Sequence, residues 1–129
     1  MYHTADGESE MYRIQGIAPK HRVLVSFHGD FDFDQSDLDN ELKSIAMDVR
    51  SAEGHFDLLA DFTQAPVMPQ DRAQQSEVLI AWCVANGLRK SANVMDTTIQ
   101  AIQVKRVSAH DEKFRTFTSR REAELWLDS

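Results

Sequence analysis

The sequence predicts an α/β fold: a single domain on a mixed, mostly parallel sheet of about five strands with about four helices. Three observations carry that reading. Strand-like runs rich in β-branched and aromatic residues alternate with stretches whose apolar residues recur every three or four positions, the pattern of strands joined by crossover helices. The chain has 129 residues, 42% of them hydrophobic and 27% charged, enough for one core and too few for two. No Pro-, Gly- or Ser-rich linker divides residues 11–129, which follow a polar segment at 1–10 that reads as a flexible tail.

The elements follow in order. Tyr12–Ala18 (YRIQGIA) alternates apolar and polar residues, as a half-exposed strand does. Pro19 and Lys20 make a turn into Arg22–Gly29 (RVLVSFHG), whose near-continuous apolar run suits a strand covered on both faces. The two read as an antiparallel hairpin opening the sheet. Leu38, Leu42, Ile45, Ala46 and Val49 form one apolar stripe, which predicts a helix over 35–52 capped by Asp34 or Ser36 and closed by Gly54. His55–Phe62 (HFDLLADF) is a strand ending at Asp61, and Thr63–Pro69 a loop with two prolines. Residues 71–86 read as a second helix closed by Asn86 and Gly87. Residues 91–96 (SANVMD) and 113–118 (KFRTFT) read as strands. A helix over 99–109 competes with a strand there, because TIQAIQV also alternates. Ser119 with Glu122 makes a capping box before a short final helix.

Composition narrows the function classes. Residues 1–64 hold 13 acidic and 5 basic side chains, net −8, whereas residues 65–129 hold 8 and 9, net +1. A chain of net charge −7 repels phosphate backbones, so nucleic acid is not the expected partner. The late basic residues, Lys105, Arg106, Lys113, Arg115, Arg120 and Arg121, read as a solvated face. The apolar run Val78–Ala85 (VLIAWCVA) is eight residues, far short of a membrane span. It reads as core, as the wall of a lipid-sized pocket formed by Leu79, Trp82 and the last helix, or as a homodimer face. A single cysteine, Cys83, allows no internal disulfide. With no basic and apolar leader pattern at the N-terminus, this points to the cytoplasm.

Few residues are spaced for chemistry. Asp30, Asp32, Asp34 and Glu41 fall at positions 1, 3, 5 and 12 of a calcium-loop spacing. Gln35 stands where that loop needs glycine, and Asp37 where an apolar residue packs, so a capped acidic helix start is the better reading. The five histidines show no metal-ligand spacing. His28, at the C-terminal end of a central strand, lies where open α/β sheets place ligands. With Asp61 it makes a general-base pair if the two meet within hydrogen-bond reach. Cys83 sits in an apolar helical run and reads as a small buried hydrophobe. The five glycines are scattered singly and form no phosphate loop. No enzyme, cofactor or metal site is therefore expected.

Three stretches, LLADFTQAPVM (58–68), SANVMD (91–96) and FRTFTSRREAELWL (114–127), together with the order of elements, resemble the STAS-like domains. The chain is most similar to their SpoIIAA-like branch, itself related in fold to the lipid-carrying CRAL-TRIO domains. The resemblance implies a non-enzymatic bacterial regulatory or ligand-binding module, with lipid or another apolar small molecule as the alternative ligand. In anti-sigma-factor antagonists of this family a strand ends in an Asp-Leu-Ser-like turn, and Asp61-Phe62-Thr63 matches it. A Ser-Ser-Gly that takes a phosphate opens the next helix there. Gln70, Asp71 and Arg72 occupy those positions here, with no hydroxyl to modify. The resemblance thus places partner or ligand contacts at Asp61, Thr63, Gln70, Asp71 and Arg72, beside His28 and Trp82.

Overall fold

The computed structural model describes residues 6–8, 12–28, 37–64, 70–95 and 113–129, and for 6–8 and 70–76 the backbone alone. Among the described residues six strands form one sheet in chain order: β1 (Asp6–Glu8), β2 (Tyr12–Ile17), β3 (Arg22–Phe27), β4 (Phe56–Asp61), β5 (Leu88–Val94) and β6 (Phe114–Phe117). β1, β2 and β3 pair antiparallel, and β3 to β6 run parallel. Three α-helices are described: α1 (Leu38–Val49), α2 (Gln70–Ala85) and α3 (Arg120–Asp128). The predicted α/β class, the opening hairpin and the five predicted strands are present. β1 is an addition: three residues of the segment read as a tail pair with Arg13–Gln15 of β2. The fourth predicted helix, over 99–109, lies outside the described residues.

Alternation along the strands sorts the core into two layers. Val23, Val25 and Phe27 of β3 point to one face with Leu58 and Ala60 of β4; Leu24, Leu59, Ala92 and Val94 point to the other. The first layer is covered by α1 through Leu38, Leu42, Ile45, Ala46 and Val49, and by α2 through Leu79 and Cys83. Each large aliphatic side chain buried this way contributes about 2 kcal/mol. Crossovers of one hand that step the same way across a sheet put their helices on one face, and α1 and α2 share one. α3 covers the second layer through Ala123 and Leu127.

Helix ends differ in detail from the sequence reading. α1 starts after Asp37, which makes no side-chain cap bond and instead accepts from Asn40 Nδ2 at 3.0 Å; Asp34 and Ser36 lie outside the described residues. The helix stops at Arg50, which turns to extended geometry, so Gly54 is not its cap. Gly54 closes the following turn, donating from its N–H to the Ser51 carbonyl at 2.8 Å. Asn86 and Gly87 do end α2, with the Asn86 N–H on the Trp82 and Cys83 carbonyls. Ser119 caps α3 by accepting from the Glu122 N–H at 3.4 Å.

One end of the second layer is ionic. Arg22 and Asp57 are neighbours in the β3–β4 register and are 1% and 2% exposed. The register slips beside them, Phe56 pairing with Leu88 and Asp57 with Lys90. The bulge aims Arg89 at Asp57, and its guanidinium grips both carboxylate oxygens at 2.9 and 2.8 Å. Arg22 reaches the same carboxylate at 3.9 Å and Asp128 at 2.6 Å. Arg89 Nη2 also donates to the Leu127 carbonyl at 2.7 Å, and Lys90 Nζ to those of Trp126 and Ser129 at 3.0 Å. Cations thus satisfy the carbonyl end of α3, where the helix dipole favours them.

Two expectations follow. Gly87 has φ +110°, and a β-carbon there would lie 1.8 Å from the Gly54 carbonyl oxygen. Gly87→Ala should cost about 3 kcal/mol or more, read as a lowered urea midpoint. The hydrogen bond and charge of Arg22, with Lys20 behind it, hold the Asp128 carboxyl below its ordinary 3.8. A depressed folded-state value means stabilisation that is present above 3.8 and lost as pH falls through the folded value. Asp128→Asn should lower the urea midpoint at neutral pH and flatten its fall on acidification.

Candidate functional site

The candidate site lies at the C-terminal ends of β3 and β4, where α2 begins. In parallel sheets this end collects loops and helix starts. β4 ends at Asp61, which is in register with Ser26 of β3 and Val94 of β5. Asp61 Oδ1 accepts from the Thr63 N–H at 2.9 Å and from Thr63 Oγ1 at 2.7 Å. A short acid bonding its own backbone two residues on is an Asx-turn, and the threonine hydroxyl doubles it. The Phe62 N–H donates to the Val94 carbonyl at 2.8 Å. Its ring stacks on Phe27, with centroids 4.6 Å apart and planes 12° from parallel. The loop out of β4 therefore leaves from a base fixed by hydrogen bonds on one side and stacked rings on the other.

His28 follows directly on β3 and is half-buried. Among the described residues no hydrogen bond joins it to Asp61, and Asp61 Oδ1 serves Thr63. The condition for a His28–Asp61 general-base pair, a hydrogen bond between the two, is not met. Gln70, Asp71 and Arg72 make the first turn of α2, whose N–H groups have no intrahelical acceptor. α2 joins β4 to the parallel strand β5, so the helix starts towards the end of the sheet where β4 finishes at Asp61. Trp82 is not part of this end. It sits 12 residues past Gln70, about 18 Å along the helix axis. There it packs half-buried on the first core layer, with Lys43 Nζ 5.6 Å from its ring centre.

Other sequence candidates resolve as structure. Leu79 and Trp82 pack with the first layer, and α3 with the second. The sheet separates them, so they do not wall one pocket. Within Val78–Ala85 only Leu79 and Cys83 are buried, and Val78 is 70% exposed; the run is one-sided rather than enclosed. Burial, with Asp39 nearby, pushes the Cys83 thiol up to about 12, which leaves it protonated and unreactive at neutral pH. Glu41, last of the calcium-like spacing, accepts from the Tyr12 hydroxyl. Burial first, then Glu41, raises the Tyr12 hydroxyl above its ordinary value. Asp30, Asp32 and Asp34 lie outside the described residues, among which no group of three or more acids, histidines or cysteines is placed to hold a metal. No helix of the described residues is long and apolar enough to cross a membrane.

Sequence reasoning missed Phe27 and Phe62 as a stacked pair and the ionic group of Arg22, Asp57, Arg89 and Asp128. Strand register alone brings the first two together. For the second a signal exists: Asp57 is a lone charge inside the apolar run HFDLLA and Arg22 opens the run RVLVSF, and charges in strands covered on both faces are buried only with partners.

Asp61→Ala leaves the Thr63 N–H and hydroxyl without their acceptor. It should cost about 1–2 kcal/mol by urea denaturation, while Asp61→Asn, which keeps a carbonyl acceptor, should cost less. No family model, no curated protein and no solved structure matches this chain.

Proposed function

We propose that the chain is a STAS-like binding module of the SpoIIAA-like kind, which recognises a protein partner or a small ligand without transforming it. Its recognition surface is the rim formed by Asp61, Thr63 and the first turn of α2. The observation that carries this reading is the doubled Asx-turn at Asp61 and Thr63, at the position the resemblance gives to the Asp-Leu-Ser-like turn. The start of α2 at Gln70, where the resemblance puts the serine pair, supports it further.

The switch of the anti-sigma-factor antagonists is absent from this reading. Asp71 replaces a phosphorylatable hydroxyl with a permanent single charge, at a helix end where the dipole favours an acid. A carboxylate carries less charge and fewer acceptor oxygens than a phosphoserine. Binding at this rim is therefore constitutive.

The test is native mass spectrometry of protein purified from its own host, with capture of the identified partner by wild type, Asp61→Ala and Asp71→Ala. A defined complex that both variants weaken while keeping the fold supports the proposal. A bound lipid unaffected by either variant, or a clean monomer that captures nothing, overturns it.

A further inference from the structure

The far edge of the sheet carries a second surface, independent of the rim at β3 and β4. β6 is last in the strand order, and β5 is its strand partner. Arg115 is exposed and Phe114, Thr116 and Phe117 are half-buried, whereas β4 is buried from Phe56 to Ala60. The pairing shows which backbone groups remain. The Ser91 N–H donates to the Lys113 carbonyl at 2.8 Å, and the Met95 N–H to that of Phe117 at 2.9 Å. The N–H and C=O of one strand residue point to one side, and sides alternate along the strand. Lys113, Arg115 and Phe117 therefore face β5. Phe114 and Thr116 present their N–H and C=O outward, and among the described residues nothing pairs with them. Such a row is a template for another strand.

The side chains beside the edge select that strand. Arg115 is in register with Ala92 and so lies on the α3 face. There Trp126 is flanked by Lys90 Nζ, 5.1 Å from the ring centre, and by the Arg115 guanidinium, 5.2 Å away. Lys90 is committed to the carbonyls at the end of α3. Arg115 makes the ring contact and, among the described residues, no hydrogen bond, so its N–H donors are available at the edge. A residue directly opposite Arg115 on an added strand would share its face, within reach of a charge-assisted, bidentate pair if it is an acid. Residues opposite Phe114 and Thr116 would fall on the other face, beside the half-buried Phe114 ring that packs on the first core layer, and want to be apolar. A second copy pairing through its own β6 would bring Arg115 against Arg115, which repels.

We propose that the outward edge of β6, unpaired among the described residues, binds an extended peptide segment of alternating apolar and acidic residues, added as a further strand with an acid on Arg115. Fluorescence anisotropy with two labelled peptides, alternating Val/Glu and alternating Val/Lys, tests it against three proteins. Thr116→Pro removes an outward N–H and leaves the ladder to β5 intact. Arg115→Glu changes an exposed side chain and reverses its charge. The wild type should bind the Val/Glu peptide saturably and the Val/Lys peptide at least about tenfold more weakly. Each variant should weaken Val/Glu binding about tenfold or more, and Arg115→Glu should turn the preference towards Val/Lys. Circular dichroism and urea midpoints check the fold, and Arg115→Glu carries the test alone if Thr116→Pro unfolds. No binding up to about 1 mM, equal binding of the two peptides, or binding unchanged by Arg115→Glu overturns the proposal. So does wild-type self-association, by sedimentation, that Thr116→Pro abolishes, since the edge would then be filled by a second copy.

Discussion

Asp57 is the constraint around which the second half of the chain is arranged. A carboxylate 2% exposed inside a sheet is stable only with partners close enough to replace its water. Arg22 stands beside it on β3, and a slip in the β4–β5 register brings Arg89 onto both its oxygens. The positive charge so gathered then reaches past Asp57. Arg22 takes Asp128, Arg89 takes the Leu127 carbonyl, and Lys90 takes those of Trp126 and Ser129. A nine-residue helix is too short to be stable by itself; here its last turn is bonded to three strand residues and its apolar side seats Ala123 and Leu127 on the sheet.

This arrangement divides the molecule. One face of the sheet is a broad apolar layer under α1 and α2, where the side chains need only fill space. The other is narrower, with apolar residues in the middle and ions at the N-terminal ends of β3 and β4. Burying charge is a poor way to gain stability, because desolvation offsets most of the attraction. It does, however, specify one docking position for α3, since a shifted helix takes Asp128 from Arg22 and the Leu127 carbonyl from Arg89. The ends of the strands opposite the ions carry the Asp61–Thr63 turn, on which the proposed recognition rim is built. The same docking of α3 sets Trp126 beside Arg115 and gives the β6 edge its basic, aromatic flank.

Much of this was legible in the sequence, for reasons that can be named. The stripe from Leu38 to Val49 and the runs RVLVSFHG and HFDLLADF are local patterns whose period fixes both element and buried face. Ser119 and Glu122 announce their cap because the bond spans three residues. Asp61 and Thr63 were singled out only through the resemblance, although their bonds also span just two residues. Errors arose where the deciding partner was remote. Gly54 resembles a helix cap, yet the chain leaves α1 at Arg50, and the Gly54 carbonyl is instead packed by Gly87, after α2, whose missing side chain permits the approach. Strand order leaves a His28–Asp61 pair open, and the structure instead gives Asp61 Oδ1 to Thr63. Leu79, Trp82 and the last helix are all apolar, and nothing local tells that a sheet lies between them.

The sequence by itself determined the class, the hairpin, the order of β2 to β6 with α1, α2 and α3 among the described residues, and the hydroxyl-free start of α2, because periodicity, turn residues and residue identity are properties of neighbours along the chain. The tertiary structure alone decided that Arg22, Asp57, Arg89 and Asp128 form one ionic group, that Phe62 stacks on Phe27, and that β6, last in the sheet among the described residues, is flanked by Trp126 and Arg115. Those pairings join residues up to 106 positions apart. Register, a bulge and helix docking set them, and each depends on how the whole core closes.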